Sequence, residues 1–264
     1  MSKTRQGAIF DRLADQNSRI VTHTHNYAAG HRIPLHFHDR DQLVYASSGV
    51  MTVHTGDGAW VVPTNRAVWI PEGVPHTISM SGTVAMRTLY LKARLATSMP
   101  RDCCVVNVPP LLSELIFHAC TCGSLSSRTA AHRHLMDVIV DQLKAIQTVP
   151  LQLPNLADPR AQRLAELLNA DPGNRQSLAR VCKTVGASGR TMERLFQEET
   201  GMTLGKWRQQ LRLMHAMRLL GEGAKVTHAA LEAGYSTPSA FIAAFRKSLG
   251  TTPAAYFKFS VNGR

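Results

Sequence analysis

The sequence predicts an α+β protein of more than one domain, with an N-terminal antiparallel β-barrel, flanking helices and a C-terminal all-helical region containing two helix-turn-helix motifs. Three observations predict this organisation. Strand-like segments separated by Gly, Pro, Asn and Asp run from Arg19 to about Leu95, the apolar spacing becomes helical after Pro109, and one short pattern occurs twice between Ser177 and Tyr256. The 264 residues are enough for two ordinary domains.

The change from strand-like to helical spacing divides the chain into four predicted segments. Residues 1–108 form the barrel, and residues 109–147 form a helical segment with two apolar stripes. Residues 148–159 contain three prolines in twelve positions and are predicted to be a linker. Residues 160–264 are predicted to consist of helices separated by turns that contain glycine.

The helical segment 109–147 carries more apolar surface than a small barrel needs as cover. Its stripes consist of Leu111, Leu112, Leu115 and Ile116, then Leu135, Val138, Ile139, Leu143 and Ile146. Two interpretations stay open: the stripes pack within one subunit, or they form the contact of a homodimer.

The repeated pattern is a short apolar helix, a turn at glycine, a hydroxyl residue suited to capping, and a second helix. The first copy occupies residues 177–198 with Ser188 as the predicted cap, and the second occupies residues 226–248 with Thr237 as the predicted cap. This is the outline of a helix-turn-helix, in which the second helix enters the major groove of DNA.

The charge of the chain supports a nucleic-acid partner. The formal net charge is +12, and residues 155–264 hold 16 of the 30 Lys and Arg residues but 8 of the 18 Asp and Glu residues. An excess of positive charge beside two helix-turn-helix motifs favours a phosphate-binding surface.

The sequence predicts neither export nor a membrane partner. It contains no apolar run of about 18 residues, and its first 20 residues lack an apolar signal core. The five cysteines are not spaced as a disulfide framework or a zinc ribbon and are expected to be reduced thiols. We therefore expect a cytoplasmic protein.

The second helix of the first motif carries side chains that can read bases. Met192, Leu195 and Phe196 fall at positions i, i+3 and i+4 and are expected to face inward, which leaves the polar side chains outside. Arginine can donate two hydrogen bonds to guanine, and glutamate can accept one from cytosine. The candidate reading residues are Arg190, Thr191, Glu193 and Arg194.

The second helix of the second motif has different chemistry. Its expected outward residues, Ser239, Ile242 and Ala243, offer few hydrogen-bonding groups. They can touch thymine methyl groups or phosphates but read few bases directly. The sequence thus predicts one motif that selects the DNA sequence and one that mainly grips the DNA.

A long helix is predicted to connect the two motifs, beginning at Thr203 and ending near Leu220 with Gly221 as its stop. Roughly 18 residues at 1.5 Å each span about 27 Å, long enough to hold two reading heads about one DNA turn, roughly 34 Å, apart. The predicted phosphate contacts are Lys206, Arg208 and Lys247.

Residues 160–258 resemble the DNA-binding domain of the AraC/XylS family of transcription regulators. The matching text is Leu195-Phe196-Gln-Glu-Glu-Thr-Gly201-Met-Thr, Arg212-Leu-Met-His-Ala-Met-Arg-Leu-Leu220, and Gly234-Tyr-Ser with Phe241-Ile-Ala-Ala-Phe245-Arg-Lys-Ser-Leu-Gly250-Thr-Thr-Pro253. The resemblance implies base-reading positions at Arg190, Thr191, Glu193 and Arg194, and at Pro238, Ser239, Ala240 and Ala243. In the second set many family members carry larger polar residues.

The barrel region carries a spaced histidine pattern. It consists of Gly30, His36, His38, Gln42 and Gly49, followed by Pro71-Glu-Gly73-Val-Pro-His76. On a strand, His36 and His38 point to one face because side chains alternate. The pattern resembles the two motifs of the cupin barrel, in which two histidines, a glutamate and a third histidine converge on a metal. Gln42 stands where the glutamate would be.

Three interpretations of His36, His38, Gln42 and His76 stay open. They hold a divalent metal such as zinc, nickel or iron, all of which imidazole suits; they line an effector pocket without metal; or they are structural. The missing carboxylate argues against a metal-dependent cupin enzyme.

Together the two resemblances imply a transcription regulator without enzymatic activity. Its cupin-like domain would sense a small effector, and its C-terminal domain would bind double-stranded promoter or operator DNA. A metal-responsive regulator is the alternative. The family commonly dimerises through helices such as those of segment 109–147, which implies a homodimer. An activator would also contact RNA polymerase, whereas a repressor would only occlude the promoter.

Overall fold

The structure is a computed structural model that describes residues 9–10 and 18–261, with side chains over residues 18–257. Residues 1–8 and 11–17 of the predicted barrel segment, and residues 262–264 of the predicted helical domain, lie outside the described residues. Within the described part of the chain, no helix combines the length and the apolar character needed to cross a membrane.

The N-terminal half forms one sheet of eleven strands with two helices beside it. The strands are β1 (Ile9–Phe10), β2 (Ile20–Tyr27), β3 (Arg32–Phe37), β4 (Asp41–Thr55), β5 (Gly58–Pro63), β6 (Arg66–Ile70), β7 (His76–Leu91), β8 (Cys104–Asn107), β9 (Ser124–Leu125), β10 (Thr148–Val149) and β11 (Gln152–Pro154), and the helices are α1 (Pro110–Cys122) and α2 (Ala130–Lys144). Except for β1 with β3, the described strand pairs are antiparallel. The predicted antiparallel N-terminal fold is confirmed.

The long strands β4 and β7 pair along their length and organise the barrel. Their register is irregular between Ala46 and Val50, where Gly49 has φ +79° and an added Cβ would lie 2.9 Å from a methyl carbon of Val84. On one side of this irregularity β4 pairs with β6, and on the other it pairs with β5. Only glycine adopts this conformation without strain, so the bend depends on Gly49.

Helices α1 and α2 bury one part of their apolar stripes inside the subunit. Leu112, Ile116, Ile139 and Leu143 pack with strand residues such as Trp69 in a core separate from that of the barrel interior. Other members of the stripes remain outside: Leu111 is 54% exposed and Val138 is 42% exposed. The interpretation of packing within one subunit therefore accounts for the inner face only.

The predicted linker, residues 148–159, is partly strand. β10 pairs with β8 and β11 pairs with β5, and Leu151 and Leu153 are buried. Proline lacks a donor for the ladder and is tolerated at strand ends and sheet edges, and Pro150 and Pro154 occupy such positions. The prolines predict a linker, and the buried leucines hold part of this segment on the sheet.

The C-terminal region is all-helical, as predicted. Its helices are α3 (Pro159–Ala170), α4 (Leu178–Thr184), α5 (Gly189–Thr200), α6 (Leu204–Gly221), α7 (Val226–Glu232), α8 (Pro238–Leu249) and α9 (Pro253–Val261). The pairs α4–α5 and α7–α8 are the two helix-turn-helix motifs. Both predicted caps are confirmed, since Ser188 Oγ accepts from the N–H of Thr191 and Thr237 Oγ1 accepts from the N–H of Ala240.

The connecting helix α6 lies against the barrel. The predicted stop at Gly221 is wrong: Gly221 is the last helical residue, and Glu222 is the C-cap. An added Cβ at Gly221 would lie 2.6 Å from a methyl carbon of Val50 in β4, and Gly82 of β7 packs against the Gly221 carbonyl. The glycine is therefore needed for the close approach of α6 to the barrel rather than for ending the helix.

Candidate functional site

The second helix of the first motif, α5, presents an arginine in its first turn. The Ser188 cap fixes the helix start through a 3.1 Å hydrogen bond from Thr191 N–H. Arg190 is exposed, whereas Met192 and Phe196 are buried. The N-terminal residues of a recognition helix contact base edges, and Arg190 occupies such a position.

Arg194 lies one turn later on the same exposed part of α5. Its Nη1 is 2.7 Å from Glu198 Oε2, and the two side chains are 60% and 54% exposed. An exposed pair of this kind contributes only about 0.3–0.5 kcal/mol, so DNA can replace Glu198 at little cost. Arg190 and Arg194 are thus both available for guanine.

Two other predicted reading residues are engaged within the domain. The hydroxyl of Thr191 lies 2.9 Å from Ser188 Oγ and supports the cap. Glu193 Oε2 accepts a hydrogen bond from the N–H of Leu204 at 3.0 Å, at the start of α6. A carboxylate is favoured there because it meets unpaired N–H groups and the positive end of the helix dipole. Reading of cytosine by Glu193 stays a prediction, and in this structure its carboxylate is engaged at the start of α6.

The second recognition helix, α8, is held by Phe241, Phe245 and Leu249, which are buried. Its exposed residues include the predicted contacts Ser239, Ala240 and Ala243, and Pro238 begins the helix. Apart from Ser239, these side chains carry no hydrogen-bonding group. Base contacts from these positions must therefore come mainly from Ser239, from methyl groups and from the backbone.

Two of the predicted phosphate contacts lie on one groove. Lys206 of α6 and Lys247 of α8 are exposed and line a groove of about 450 Å³ between these helices. Tyr235 lines the same groove, and no hydrogen bond to its buried hydroxyl is present within the described residues. Burial raises the pKa of Tyr235 to about 12, so this hydroxyl stays protonated and can donate. The groove offers the two exposed cations, Lys206 and Lys247, to an anionic backbone, while the hydroxyl of Tyr235 stays buried beneath them.

The third predicted phosphate contact, Arg208, is not on the surface. Arg208 is 8% exposed, and its guanidinium donates to the carbonyl of Gln176 at 2.8 Å and to the carbonyl of Asn174. A buried guanidinium needs such acceptors, and here backbone carbonyls supply them. The prediction for Arg208 is therefore wrong.

Three histidines meet inside the barrel, as their spacing predicts. His36 and His76 are cross-strand partners of β3 and β7, and His38 follows directly after β3. The ring centroid of His36 lies 4.2 Å from that of His76 and 4.9 Å from that of His38. One ligand nitrogen from each of the three rings lies within 4.8 Å of the others, and the residues are 7%, 3% and 1% exposed in sequence order.

Backbone carbonyls orient two of the rings. His36 Nδ1 lies 2.7 Å from the carbonyl oxygen of Pro34, and His76 Nδ1 lies 2.9 Å from that of Val74. A carbonyl oxygen only accepts, so Nδ1 carries the proton in each case. In a neutral ring this leaves Nε2 with its lone pair, and such a second contact is the usual way in which a metal-binding histidine is oriented.

The electrostatics keep His76 neutral. Burial, followed by the charge of His36, lowers the pKa of His76 to about 3. Within the described residues, its buried Nε2 has no hydrogen-bond partner, and neither has Gln42 Oε1. The amide nitrogen of Gln42 donates to the hydroxyl of Tyr90 at 3.3 Å, and the Tyr90 ring lies 4.8 Å from that of His38. A divalent cation held by the three rings would satisfy the lone pair of His76 Nε2.

The donor set has the chemistry and the spacing to hold a metal ion. Imidazole nitrogens lie about 2.0–2.1 Å from a bound zinc ion, so nitrogens within 4.8 Å of one another need only small movements to share one ion.

Sequence reasoning missed a cavity between the barrel and the helical domain. It has a volume of about 530 Å³, and its lining includes His54 of β4 with Trp207 and Arg218 of α6. Burial, followed by the charges of Arg218 and Arg32, lowers the pKa of His54. These residues belong to no shared motif, and only the docking of α6 on the barrel brings them together.

Two family models match the chain. The AraC-like ligand binding domain matches residues 20–156, and a helix-turn-helix domain matches residues 181–258. Together they cover both halves of the described structure.

Two relatives agree with these matches. The chain is 32% identical over 223 residues to the HTH-type transcriptional regulator NimR of Escherichia coli strain K12, an alignment that covers 84% of this chain and 81% of NimR. It is 22% identical to the HTH-type transcriptional activator RhaR of Mannheimia succiniciproducens, over 84% of this chain and 86% of that protein. A crystal structure of ToxT from Vibrio cholerae matches 94% of this chain and 98% of its own, with a TM-score of 0.38 and 12% identity. The chain belongs to the AraC family of transcriptional regulators.

Proposed function

We propose that this AraC-type regulator selects its DNA sequence through α5, with Arg190 and Arg194 as the base-reading residues. The exposed arginines at the start of a capped recognition helix carry this proposal. The protein acts in the cytoplasm and has no catalytic activity. The amide of Gln42 at the position of a ligand carboxylate supports a sensing rather than a catalytic role for the barrel.

The proposal is tested by DNase footprinting of the full-length chain on the intergenic region beside its own gene. We expect a protected stretch long enough for two major-groove contacts about one helical turn, roughly 34 Å, apart. Protection that is equally strong on unrelated DNA would contradict sequence-specific binding.

The effector that best fits the barrel is a divalent transition metal held by His36, His38 and His76. A bound ion would supply a positive charge that links β3 to β7. The chemistry of the donor set supports this assignment, because His36 and His76 are oriented by carbonyls at Nδ1 and the three rings meet in a buried site. The metal-responsive regulator is therefore favoured over one with an organic effector at this position.

The strand β7 offers a route from this site to the DNA-binding domain. His76 begins β7, and Gly82 of the same strand packs against the carbonyl of Gly221 in α6. A metal that moves the start of β7 would shift the contact between barrel and α6, and with it the position of both motifs.

Lys206→Ala and Lys247→Ala are expected to weaken binding to all DNA sequences alike. Each removed phosphate contact should make the slope of log K against log salt shallower by about 0.9. Fluorescence anisotropy titrations on operator and random duplexes, at several salt concentrations, measure both quantities. A loss confined to the operator would contradict the assignment to phosphates.

Arg208→Ala serves as the matched contrast, since it removes the same charge from α6. It should leave the salt slope unchanged and lower the free energy of unfolding by about 1–3 kcal/mol, because the carbonyl of Gln176 loses the Arg208 donor and that of Asn174 keeps only the one from Arg212. Urea denaturation measures this loss. A shallower salt slope with unchanged stability would restore Arg208 as a phosphate contact.

A homodimer through α1 and α2 is supported by the apolar residues that the subunit leaves exposed. Leu111→Glu and Val138→Glu should each shift the chain from dimer to monomer in sedimentation velocity. Leu167→Glu, at an equally exposed leucine of α3, is the control and should remain dimeric. A monomeric wild type, or dimers of both variants, would contradict the interface.

A further inference from the structure

Two arginines of α6 hold the loop that leads into the first motif. Arg208 donates to the carbonyls of Gln176 and Asn174. Arg212, one turn later, donates from Nε to the carbonyl of Pro172 at 3.2 Å and from Nη2 to that of Asn174 at 2.5 Å. Residues 172–176 connect α3 to α4, so α6 fixes the entry into the first motif.

The same loop touches the turn of the second motif. An added Cβ at Gly173 would lie 2.5 Å from the carbonyl oxygen of Glu232. An added Cβ at Gly234 would lie 2.9 Å from both the Gly173 carbonyl oxygen and Arg212 Nη2. Gly234, with φ +79°, is the turn residue between α7 and α8. The loop and the turn are therefore in backbone contact, with no room for side chains between them.

We propose that this junction, formed by loop 172–176, Arg208, Arg212 and turn 232–234, fixes the distance and angle between α5 and α8. The protein would then accept its two half-sites at a single spacing. This inference rests on the proposed function in that both motifs must contact DNA. Arg208, Arg212 and Gly173 are positioning residues, since none of them needs to touch DNA.

The physical reason is the geometry of DNA. One inserted base pair moves the second half-site by about 3.4 Å and turns it by about 35° around the helix axis. The α6 helix packs on helices of both motifs and sets the distance between them, and contacts made directly between the motifs add a restraint on their relative rotation. Contacts between the loop and the turn restrict that rotation, and guanidinium groups do so well because each donates in several fixed directions.

The test uses Gly173→Ala and Arg212→Lys in the full chain. The alanine methyl separates the loop from Glu232, while the lysine keeps the charge and loses the two-directional donor. Gly205→Ala is the matched control, because an added Cβ at this α6 residue meets nothing within 4 Å. The probes are duplexes that carry the sequence selected by the wild type from random DNA. In three of them the spacing between the two half-sites is unchanged, lengthened by one base pair or shortened by one base pair. In a fourth duplex the second half-site is scrambled.

The wild type and Gly205→Ala should lose about tenfold or more in affinity when one base pair is inserted or removed, because the second contact is then lost. Gly173→Ala and Arg212→Lys should lose less than about threefold, while binding the single half-site duplex as the wild type does. A spacing profile compares the affinities of one protein preparation for several duplexes. Unfolded protein lowers all of these apparent affinities by the same factor, so their ratios do not change.

Variants that keep the wild-type spacing profile, and bind every duplex more weakly by one factor, would show that the junction only stabilises the fold and would overturn the proposal. A wild type that tolerates the altered spacings would overturn it as well. Failure of the wild type to select any sequence would instead contradict the proposed function.

Discussion

His76→Ala and His36→Ala are expected to abolish metal binding, whereas the wild type is expected to hold about one divalent ion per chain. Each variant leaves two imidazoles, too few for a structural site, and removes one of the rings that a backbone carbonyl orients. Elemental analysis of protein purified without a histidine tag measures the content after separate loading with zinc, nickel and iron.

The control is His25→Ala, which removes an exposed histidine of β2 in the same sheet. It should retain the wild-type metal content. Removing the ion with a chelator should change the operator affinity of the wild type. It should leave the operator affinities of His36→Ala and His76→Ala unchanged. A wild type that holds no ion under any loading condition, or variants as rich in metal as the wild type, would refute the metal site.

Arg190→Ala and Arg194→Ala should each cost about 1–3 kcal/mol on the operator, roughly 5- to 150-fold in affinity, if they donate to guanine. Affinity for random DNA should fall much less, so the ratio of specific to non-specific binding decreases. Competition titrations with both duplexes measure that ratio.

Arg163→Ala is the matched control, because Arg163 is an exposed arginine of α3 outside both motifs. It changes the net charge equally and should leave the ratio unchanged. If Arg190→Ala and Arg194→Ala also leave the ratio unchanged, neither residue reads bases. An effect of Arg194→Ala alone would limit the reading to that side chain.

Local chemistry predicted much of the fold and of the site. Ser188 and Thr237 cap their helices because a hydroxyl before an apolar helix satisfies the first N–H groups in any context. His36 and His38 share a face because side chains alternate along an extended chain. The caps and this shared face depend on neighbours in sequence, whereas the meeting of His76 with these rings depends on the pairing of β3 with β7 and was implied by the cupin resemblance.

Features that depend on distant contacts were not predictable from spacing. The carboxylate of Glu193 accepts a hydrogen bond at the start of α6, and the guanidinium of Arg208 donates to the carbonyl of Gln176, 32 residues earlier in the chain. Both residues are nevertheless of a charged type that suits a DNA surface. Glycine is a residue type that often ends a helix, but at Gly221 the lack of a side chain allows the close approach of α6 to Val50. Residue type shows what a side chain can do, and its partners decide which of these roles it takes.

The central claim is that α5 selects the DNA sequence while α8 mainly grips the DNA. Selection of full-length protein on random duplexes, followed by sequencing, tests it most directly. The expected motif has two half-sites about 10 base pairs apart, one strongly and one weakly specified, and Arg190→Ala should relax positions in the strong half only. A motif with two equally specified halves, or one that Arg190→Ala leaves unaltered, would contradict the claim.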